Sequence, residues 1–229
     1  MRKAMSSSIA TLYSIFVTVF VYLLSLRLSK KYPSPFTTPV FFSTVAVILI
    51  LLASHVPYKE YLPAKGLMTY FLGPATVALA VPLYKNKAIL LHYSMPVLGG
   101  MLSGSVLTVG IALILAKVFR LSNYIFASLA VKSITVPVAS EVAKIIGGNQ
   151  VLVAGFVMIT GMLGAMFGLK LLTWAKIDDP ISRGLALGTI SHGIGTGEAV
   201  KEGDLQGAVS GVAMGLTAIL TSFILPWFF

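Results

Sequence analysis

The stretch that interrupts the apolar pattern of this chain reads Lys132-Ser133-Ile134-Thr135-Val136-Pro137-Val138-Ala139. It lies between two long apolar runs but contains a cation, two hydroxyl groups and a proline. Inside a membrane helix, Pro137 has no N–H to donate to the Ser133 carbonyl, so the helix opens at that turn. Backbone groups freed in this way cannot face lipid and must be buried in protein or line a wet cavity. The stretch therefore predicts a helix break inside a membrane segment.

Lys132 is the second unusual feature of this stretch. A charge deep in a bilayer costs at least about 2.5 kcal/mol and usually faces a partner or a cavity. Together with Ser133 and Thr135, it indicates a site for a small anion, to which the helix after Pro137 would present its positive end. The alternative is a kinked helix with Lys132 extended to the membrane surface. The residues alone leave both interpretations open.

The composition is that of an integral membrane protein. The 229 residues are 57% hydrophobic and 10% charged, with a mean hydropathy of +0.92. Soluble domains have about 25% charged residues. The net charge of +10 comes from cations at the ends of apolar runs, where they anchor helices, so we expect no nucleic-acid partner. The chain has no cysteine, which excludes disulfides, thiol catalysis and thiolate metal sites.

The apolar runs predict an all-α polytopic bundle of about seven spans, since each span needs about 20 such residues. We expect a single domain, 1–229, with N-terminal spans in 1–60 and a broken-helix core in 61–229. The predicted spans are Ser7–Leu26, Val40–His55, Gly66–Leu83, Ile89–Val118, Ser122–Ile146, Val151–Trp174 and a last one beginning near Asp204. The membrane orientation stays open.

A second interruption, Gly73-Pro74-Ala75-Thr76, lies inside the third predicted span. Aligning Thr76 with Thr135 also pairs Val77 with Val136, Ala80 with Ala139, Lys85 with Lys144, and later Gly100-Met101-Leu102 with Gly161-Met162-Leu163. We therefore predict an internal repeat, inverted in the membrane. In secondary transporters, interrupted segments at corresponding places in two halves mark a binding site near the bilayer midplane. Pro74 and Thr76 thus join the candidate site residues.

The densest polar and glycine-rich stretch reads Arg183-Gly184-Leu185-Ala186-Leu187-Gly188-Thr189-Ile190-Ser191-His192-Gly193-Ile194-Gly195-Thr196. It predicts a short helix followed by a glycine loop, too short to span and hence re-entrant or discontinuous. The glycines would expose N–H groups to an anion, and histidine can exchange a proton near neutral pH. The candidate substrate-binding residues here are His192, Gly193, Gly195 and Thr196. A tight interhelical turn with His192 as a hydrogen-bonding strut is the alternative.

Other kinds of site do not fit these residues. A nucleotide site fails because no strand precedes the glycines, and a zinc site fails because the three histidines lack ligand spacing. A Ser191–His192 nucleophile pair has no third partner. Lys201-Glu202-Gly203-Asp204 is typical of a solvated loop. Gly207, Gly211 and Gly215 form a stripe that predicts close helix approach in the last span.

Three ordered motifs carry a family resemblance. They are Leu72-Gly73-Pro74-Ala75-Thr76-Val77-Ala78-Leu79-Ala80-Val81-Pro82-Leu83-Tyr84 and the two stretches already quoted, at 132–139 and 183–196. Over nearly its whole length the chain is similar to the LrgB/CidB (antiholin-like) membrane family, which includes the LrgB-like half of the plastid glycolate/glycerate translocator. Ile134 and Val136 are small variations that leave the polar positions of the second motif intact.

The resemblance implies two different functions. Related members transport small monocarboxylates: pyruvate in bacteria, and glycolate and glycerate in the plastid translocator. The family was named for control of murein hydrolase export and autolysis, opposite a small holin-like partner of the LrgA/CidA type. We therefore expect a multi-pass carboxylate transporter of the cell membrane that works with such a partner. An antiholin-like modulator of autolysis without transport of its own is the alternative.

The resemblance also suggests roles for the candidate residues. Lys132 would supply positive charge, and Ser133, Thr135 and Thr76 would hydrogen-bond the substrate. His192 or Glu198 would couple a proton. We expect no enzymatic activity, no cofactor and no metal, and a homo-oligomer stays open.

Overall fold

The computed structural model describes residues 7–71, 74, 77, 78 and 80–229. These residues form helices and connecting turns, with no strand among them. Four helical stretches are long and apolar enough to cross a membrane: Ser8–Lys31, Ser94–Val118, Gln150–Trp174 and Asp204–Trp227. The prediction of a helical membrane protein is therefore confirmed for the described residues. The chain divides into two compact units, 1–78 and 79–229.

The N-terminal unit contains three helices in its described part. They are α1 (Ser7–Lys31), α2 (Pro39–Ala53) and α3 (Tyr58–Tyr70). Val17 of α1 packs with Val47 of α2, and the hydroxyls of Thr18 and Tyr61 lie 3.1 Å apart. Helix α2 has only 15 residues, fewer than the predicted second span requires. Helix α3 begins after the extended Pro57, so the predicted start of the third span at Gly66 is wrong.

The C-terminal unit contains the remaining described helices. In chain order they are α4 (Ala80–Lys85), α5 (Lys87–His92), α6 (Ser94–Val118), α7 (Asn123–Ala130), α8 (Val136–Ile145), α9 (Gln150–Leu163), α10 (Leu169–Trp174), α11 (Pro180–Glu202) and α12 (Asp204–Ile224). A π-helical turn, Gly164–Gly168, joins α9 to α10, and a 3₁₀ turn, Leu225–Trp227, follows α12. The helices predicted over Val151–Trp174 and from Asp204 onwards are confirmed.

The local sequence explains where α9 and α11 begin. Asn149 caps α9 by accepting hydrogen bonds from the N–H groups of Val151 and Leu152. Asp179 caps α11: the hydroxyl and the N–H of Ser182 both donate to its carboxylate. These two bonds hold the pKa of Asp179 below its usual value. Their contribution to stability is therefore present above the unfolded-state pKa of about 3.9 and is lost as the pH falls through the lower folded-state pKa.

The predicted span Ile89–Val118 is divided into α5 and α6. Tyr93 lies between them with non-helical geometry (φ −96°, ψ 17°). Pro96 then occupies the first turn of α6, where its missing N–H needs no helical partner. The membrane-length helix therefore begins later than predicted and ends, as predicted, at Val118.

The segment predicted as Ser122–Ile146 is a broken helix. Helices α7 and α8 are separated by residues 131–135, which we call the break. Thr135 is extended (φ −64°, ψ 143°) and precedes α8, and Pro137 lies in its first turn. Proline is favoured there because the N–H it lacks would have had no helical partner. The predicted interruption is confirmed, but Pro137 begins a helix and does not kink one.

Helix α11 is a helical hairpin. His192 has φ 41° and ψ −138°, and the chain reverses at this residue. Arg183 and Glu202 form an ion pair of 2.6 Å between Nη2 and Oε1, although a straight helix would place them about 28 Å apart. The two arms, residues 180–191 and 193–202, therefore run antiparallel. The arms are only about 18 Å and about 15 Å long, little more than half of a bilayer core of about 30 Å.

The longer helices around the hairpin run in alternating directions. Gly100 and Gly104 of α6 lie against Leu185 and Thr189 in that order, so α6 is parallel to the first arm. In the same way α12 is parallel to the first arm, because Gly184 and Gly188 lie against Gln206 and Ser210. Helix α9 is antiparallel to it, because Gly161 lies against His192 and Gly168 against Leu187.

These directions show that both broken segments return to the end of the bundle from which they start. The C-terminus of α6 and the N-terminus of α9 lie at the same end of the bundle. Helix α7 therefore runs inwards from that end, and α8 returns to it. Accordingly, the N–H of Asn149 donates to the Ser128 hydroxyl (2.8 Å), and the rings of Phe126 and Phe229 lie 5.4 Å apart. The hairpin starts and ends at the opposite end, beside the beginning of α12.

Candidate functional site

The tip of the hairpin lies near the middle of two long helical stretches, α12 and the stretch that begins with α9. The hydroxyl of Thr196, one turn beyond His192, is 4.0 Å from the sulfur of Met214, which is the central residue of Asp204–Ile224. On α9, His192 lies beside Gly161, one residue from the centre of Gln150–Trp174. The tip therefore reaches about half the depth that these helices span. Transporter binding sites occur at this depth.

His192 is buried and held by α9. Its Nε2 lies 3.0 Å from the carbonyl oxygen of Val157. A carbonyl can only accept a hydrogen bond, so Nε2 carries the hydrogen and Nδ1 is the acceptor in the neutral ring. This contact matches the strut interpretation of His192. It also leaves Nδ1 as the atom at which a further proton would bind.

The residues after His192 form the second arm of the hairpin. Thr196 Oγ1 donates to the His192 carbonyl (2.9 Å) and lies 2.9 Å from Ser210 Oγ of α12. The prediction of a glycine loop is wrong, because residues 193–202 are helical and His192 itself makes the turn. Gly193 is exposed, whereas Gly195 and Thr196 are buried between the arms and α12.

Gly195 is required by the close approach of the two arms. A Cβ at this position would lie 2.5 Å from Ser191 Cβ and 2.7 Å from the Leu187 carbonyl oxygen. Gly197, two residues later in the same arm, has nothing within 4 Å of that position. The two glycines thus differ only in what a methyl group would meet.

We expect opposite effects from alanine at these two glycines. Gly195→Ala must push the arms apart, and overpacking of this kind costs about 1–3 kcal/mol. Gly197→Ala adds a better helix former in open space and gains up to about 1 kcal/mol. Thermal unfolding of the purified protein in detergent should therefore show a lower midpoint for the first variant and an equal or higher one for the second. Equal midpoints would contradict the hairpin packing.

Glycines on α9 and its π-helical turn form the slot that receives the first arm. A Cβ at Gly164 would overlap Ser191, and one at Gly168 would lie 2.8 Å from Leu187. On the other side, a Cβ at Gly188 would overlap the Ser210 carbonyl of α12. Within the predicted glycine stripe on α12, Gly207 closely approaches Val200 of the second arm, whereas Gly215 has nothing within 4 Å.

The base of the hairpin is closed by an ion pair between the buried Arg183 and the partly exposed Glu202. Arg183 is only 6% exposed, and it donates from Nε to Glu202 Oε1 (2.8 Å) and from Nη1 to the Ile177 carbonyl (2.8 Å). Nη2 also reaches the Leu169 carbonyl (3.3 Å). The prediction of a loop is wrong for Glu202, which is helical, whereas its predicted exposure to solvent is confirmed. Its carboxylate joins the second arm to the first.

The break presents a cation without a carboxylate. Lys132 is half-buried and its ammonium donates to the hydroxyl of the buried Ser133 (3.1 Å). The ion pairs within the described part of the chain involve other cations. The side chain of Thr135 makes no cap bond to α8, so its hydroxyl remains open to a ligand. The first-turn N–H groups of α8 have no helical partners.

The break and the hairpin tip approach the same part of α9 from opposite ends. Val131 and Ile134 of the break belong to the core cluster that contains Val157, and Val157 accepts the hydrogen bond from His192. The N-terminal ends of α8 and of the second arm are thus both directed towards mid-depth. Helix N-termini attract anions.

The remaining candidates are Thr76, Pro74 and Glu198. Thr76 lies outside the described residues, and Pro74 belongs to the N-terminal unit, where its side chain is exposed. Glu198 pairs with Lys201 (2.6 Å), about 9 Å along the second arm from His192. The inverted repeat stays a prediction: α6 and α9 do run in opposite directions, but most of the first interruption, 72–79, is not described.

Sequence reasoning missed the base of the hairpin and the polar face of α12. The sequence predicts an ion pair between Arg183 and Glu202 only if the chain is assumed to reverse its direction between them. Gly184 and Gly188, four residues apart, were visible as a small-residue pair that permits close helix packing. Ser210 had no signal that distinguishes it from an ordinary helix hydroxyl.

The comparison with known proteins identifies the family. A match to the LrgB-like family covers residues 18–229. The chain belongs to the LrgB-like family. It is 38% identical to the uncharacterized protein YxaC of Bacillus subtilis, over 94% of this chain and 95% of that protein. It is also 31% identical to the holin-like protein CidB of Staphylococcus aureus, over 97% of each chain.

The family membership predicted from the three motifs is therefore confirmed. No solved structure matches this LrgB-like chain.

Proposed function

We propose that this protein transports small monocarboxylates or 2-hydroxy acids, such as pyruvate or glycolate, across the cell membrane. The observation that carries the proposal is that two half-length broken segments both approach Val157 of α9: the hairpin tip through His192, and the break through the core cluster that contains Val157. Alternating access requires a site that either side of the membrane can reach in turn. Two segments that enter from opposite ends of the bundle and stop at mid-depth provide such a site.

The charges of the described residues favour an anion as the substrate. Lys132 has no acidic partner among them, and the positive N-terminal ends of α8 and of the second arm are both directed towards mid-depth. A carboxylate would satisfy these groups, with Ser133 and Thr135 as hydrogen-bonding residues. Lys132 is the single cation of the break and suits a substrate with one carboxylate, and hydroxyl ligands suit the second oxygen of that carboxylate.

A modulator of autolysis is the second candidate function. It is favoured by the name of one relative, the holin-like protein CidB. In that case the protein would act through a holin-like membrane partner of the LrgA/CidA type, without transport of its own. The same partner could be required for transport.

Uptake by purified protein distinguishes the two candidates. The protein alone, and together with a holin-like partner, is reconstituted in liposomes and tested with labelled pyruvate and glycolate. We expect saturable uptake above that of protein-free liposomes. No uptake in either preparation, together with an effect on autolysis in cells, would favour the modulator.

His192 provides a test of proton coupling. Gln at this position can still donate to the Val157 carbonyl but cannot take up a second proton. If the proton moves with the substrate, His192→Gln should keep substrate exchange and lose accumulation driven by an inward proton gradient. Glu198→Gln, in the same arm, should keep both because its carboxylate already pairs with Lys201. Equal loss of both activities in His192→Gln would assign His192 a structural role.

A further inference from the structure

Helix α12 contains a buried hydroxyl group that lacks a partner. Thr217 is only 2% exposed, and its Oγ1 has no hydrogen-bond partner in the described part of the chain. Buried polar side-chain atoms in native proteins are nearly always paired. Ser14, Ser105 and Thr189 also have a buried hydroxyl without a partner among the described residues, so the position of Thr217 in the fold decides whether a substrate can reach its hydroxyl.

Its neighbours place Thr217 between the hairpin tip and the break. Met214, one turn earlier, contacts the Thr196 hydroxyl (4.0 Å) in the second arm. Ala218, the next residue, belongs to the core cluster that contains Val131 and Ile134 of the break. Thr217 thus lies just past the tip, on the side from which the break approaches.

The comparison with Ser210 shows what is unusual about this position. Ser210 lies two turns earlier on the same face of α12, and its hydroxyl is paired with Thr196 of the hairpin (2.9 Å). The hairpin ends before it reaches the level of Thr217. The polar face of α12 therefore continues beyond the hairpin into the region between the two broken segments.

We infer that Thr217 is a substrate-contacting residue. Its hydroxyl hydrogen-bonds the oxygen on C2 of a 2-oxo or 2-hydroxy acid whose carboxylate is held at Lys132. This role rests on the proposed transport function. A hydroxyl donates to a keto oxygen and accepts from a substrate hydroxyl, so one residue serves both classes. It offers nothing to the corresponding CH₂ group of propionate.

The test is the discrimination between pyruvate and propionate. Thr217→Val keeps the shape and removes the hydroxyl, so the ratio of kcat/KM for pyruvate over propionate should fall about fivefold to tenfold, the usual value of one hydrogen bond. Thr217→Ser should keep the ratio. The unfolding midpoint of Thr217→Val without substrate should stay equal or rise, because no bond within the protein is lost.

Thr189→Val is the matched control. Thr189 lies in the first arm. It is equally buried, and its hydroxyl also has no partner among the described residues, but its methyl group faces Gly104 of α6. We expect its pyruvate to propionate ratio to match the wild type. An unchanged ratio in Thr217→Val, or a loss of stability with a uniform loss of uptake, would overturn the inference.

A binding measurement separates this inference from the proposed function. Pyruvate should raise the unfolding midpoint of the detergent-purified wild type and have a smaller effect on Thr217→Val. If liposomes with the wild-type protein take up no pyruvate but pyruvate still stabilises the wild type more than Thr217→Val, the transport proposal is wrong and the contact between Thr217 and the ligand is supported. If pyruvate stabilises both proteins equally, the contact is wrong whatever the uptake shows.

Discussion

Lys132→Gln should lower carboxylate uptake at least about tenfold, because hydrogen bonds to charged groups contribute about 1.5–3 kcal/mol. The variant should still insert and accumulate, since Lys132 has only Ser133 as a hydrogen-bond partner and its loss leaves no buried charge unpaired. Initial rates of pyruvate uptake in liposomes, normalised to the amount of reconstituted protein, provide the measurement.

Lys144→Gln is the control in the same broken segment. Lys144 is exposed and pairs with Glu141 (3.1 Å), and exposed pairs contribute about 0–1 kcal/mol. Uptake by this variant should therefore match the wild type. If Lys132→Gln also transports at the wild-type rate, Lys132 anchors the segment at the membrane surface and the anion site is wrong.

Glu202→Ala should destabilise the protein by about 3 kcal/mol, because it leaves the buried guanidinium of Arg183 without its carboxylate. The unfolding midpoint should fall by roughly 6–12 °C for a chain of this size, and uptake should be lost as the arms separate. Lys201→Met, which breaks the half-exposed pair with Glu198, should lower the midpoint by only about 2 °C or less.

A double variant distinguishes a clamp from a functional charge. Replacing a whole buried ion pair by apolar residues is often neutral or stabilising, so Arg183→Met combined with Glu202→Leu should recover most of the lost midpoint. If the double variant is as unstable as Glu202→Ala, the pair does not act as a unit. If it is stable but inactive, the charges themselves serve transport.

The sequence was sufficient to place the break at 131–135 and an interruption near His192, but not to give their shape. A proline and a lysine within an apolar run conflict with a lipid-embedded helix, so the break at 131–135 was predictable. Whether the chain continues straight or turns back depends on contacts with distant helices. The reversal of α11 is the clearest case, because His192 adopts a positive φ that glycine usually supplies.

The sequence singled out the glycines of the candidate site, but it did not show why glycine is needed at these positions. Gly193, Gly195 and Gly197 were expected to let the backbone turn and to expose N–H groups to an anion, yet all three lie in a helical arm. Gly195 is needed for packing, and the same is true of Gly184 and Gly188 in the first arm. Close approach is a property of two segments together, so a single sequence shows only that small residues are available.

The short arms of the hairpin have a consequence for biosynthesis. A segment of about ten residues is too short to be recognised as a span, which needs about 20, and its backbone at the tip cannot be left facing lipid. The slot for the first arm is formed by α9, and its other side is closed by α12, which is synthesised later. We therefore expect the hairpin to enter the membrane last, after the translocon has released α12. The Arg183–Glu202 pair, which joins the two ends of the hairpin, can then form in a single step.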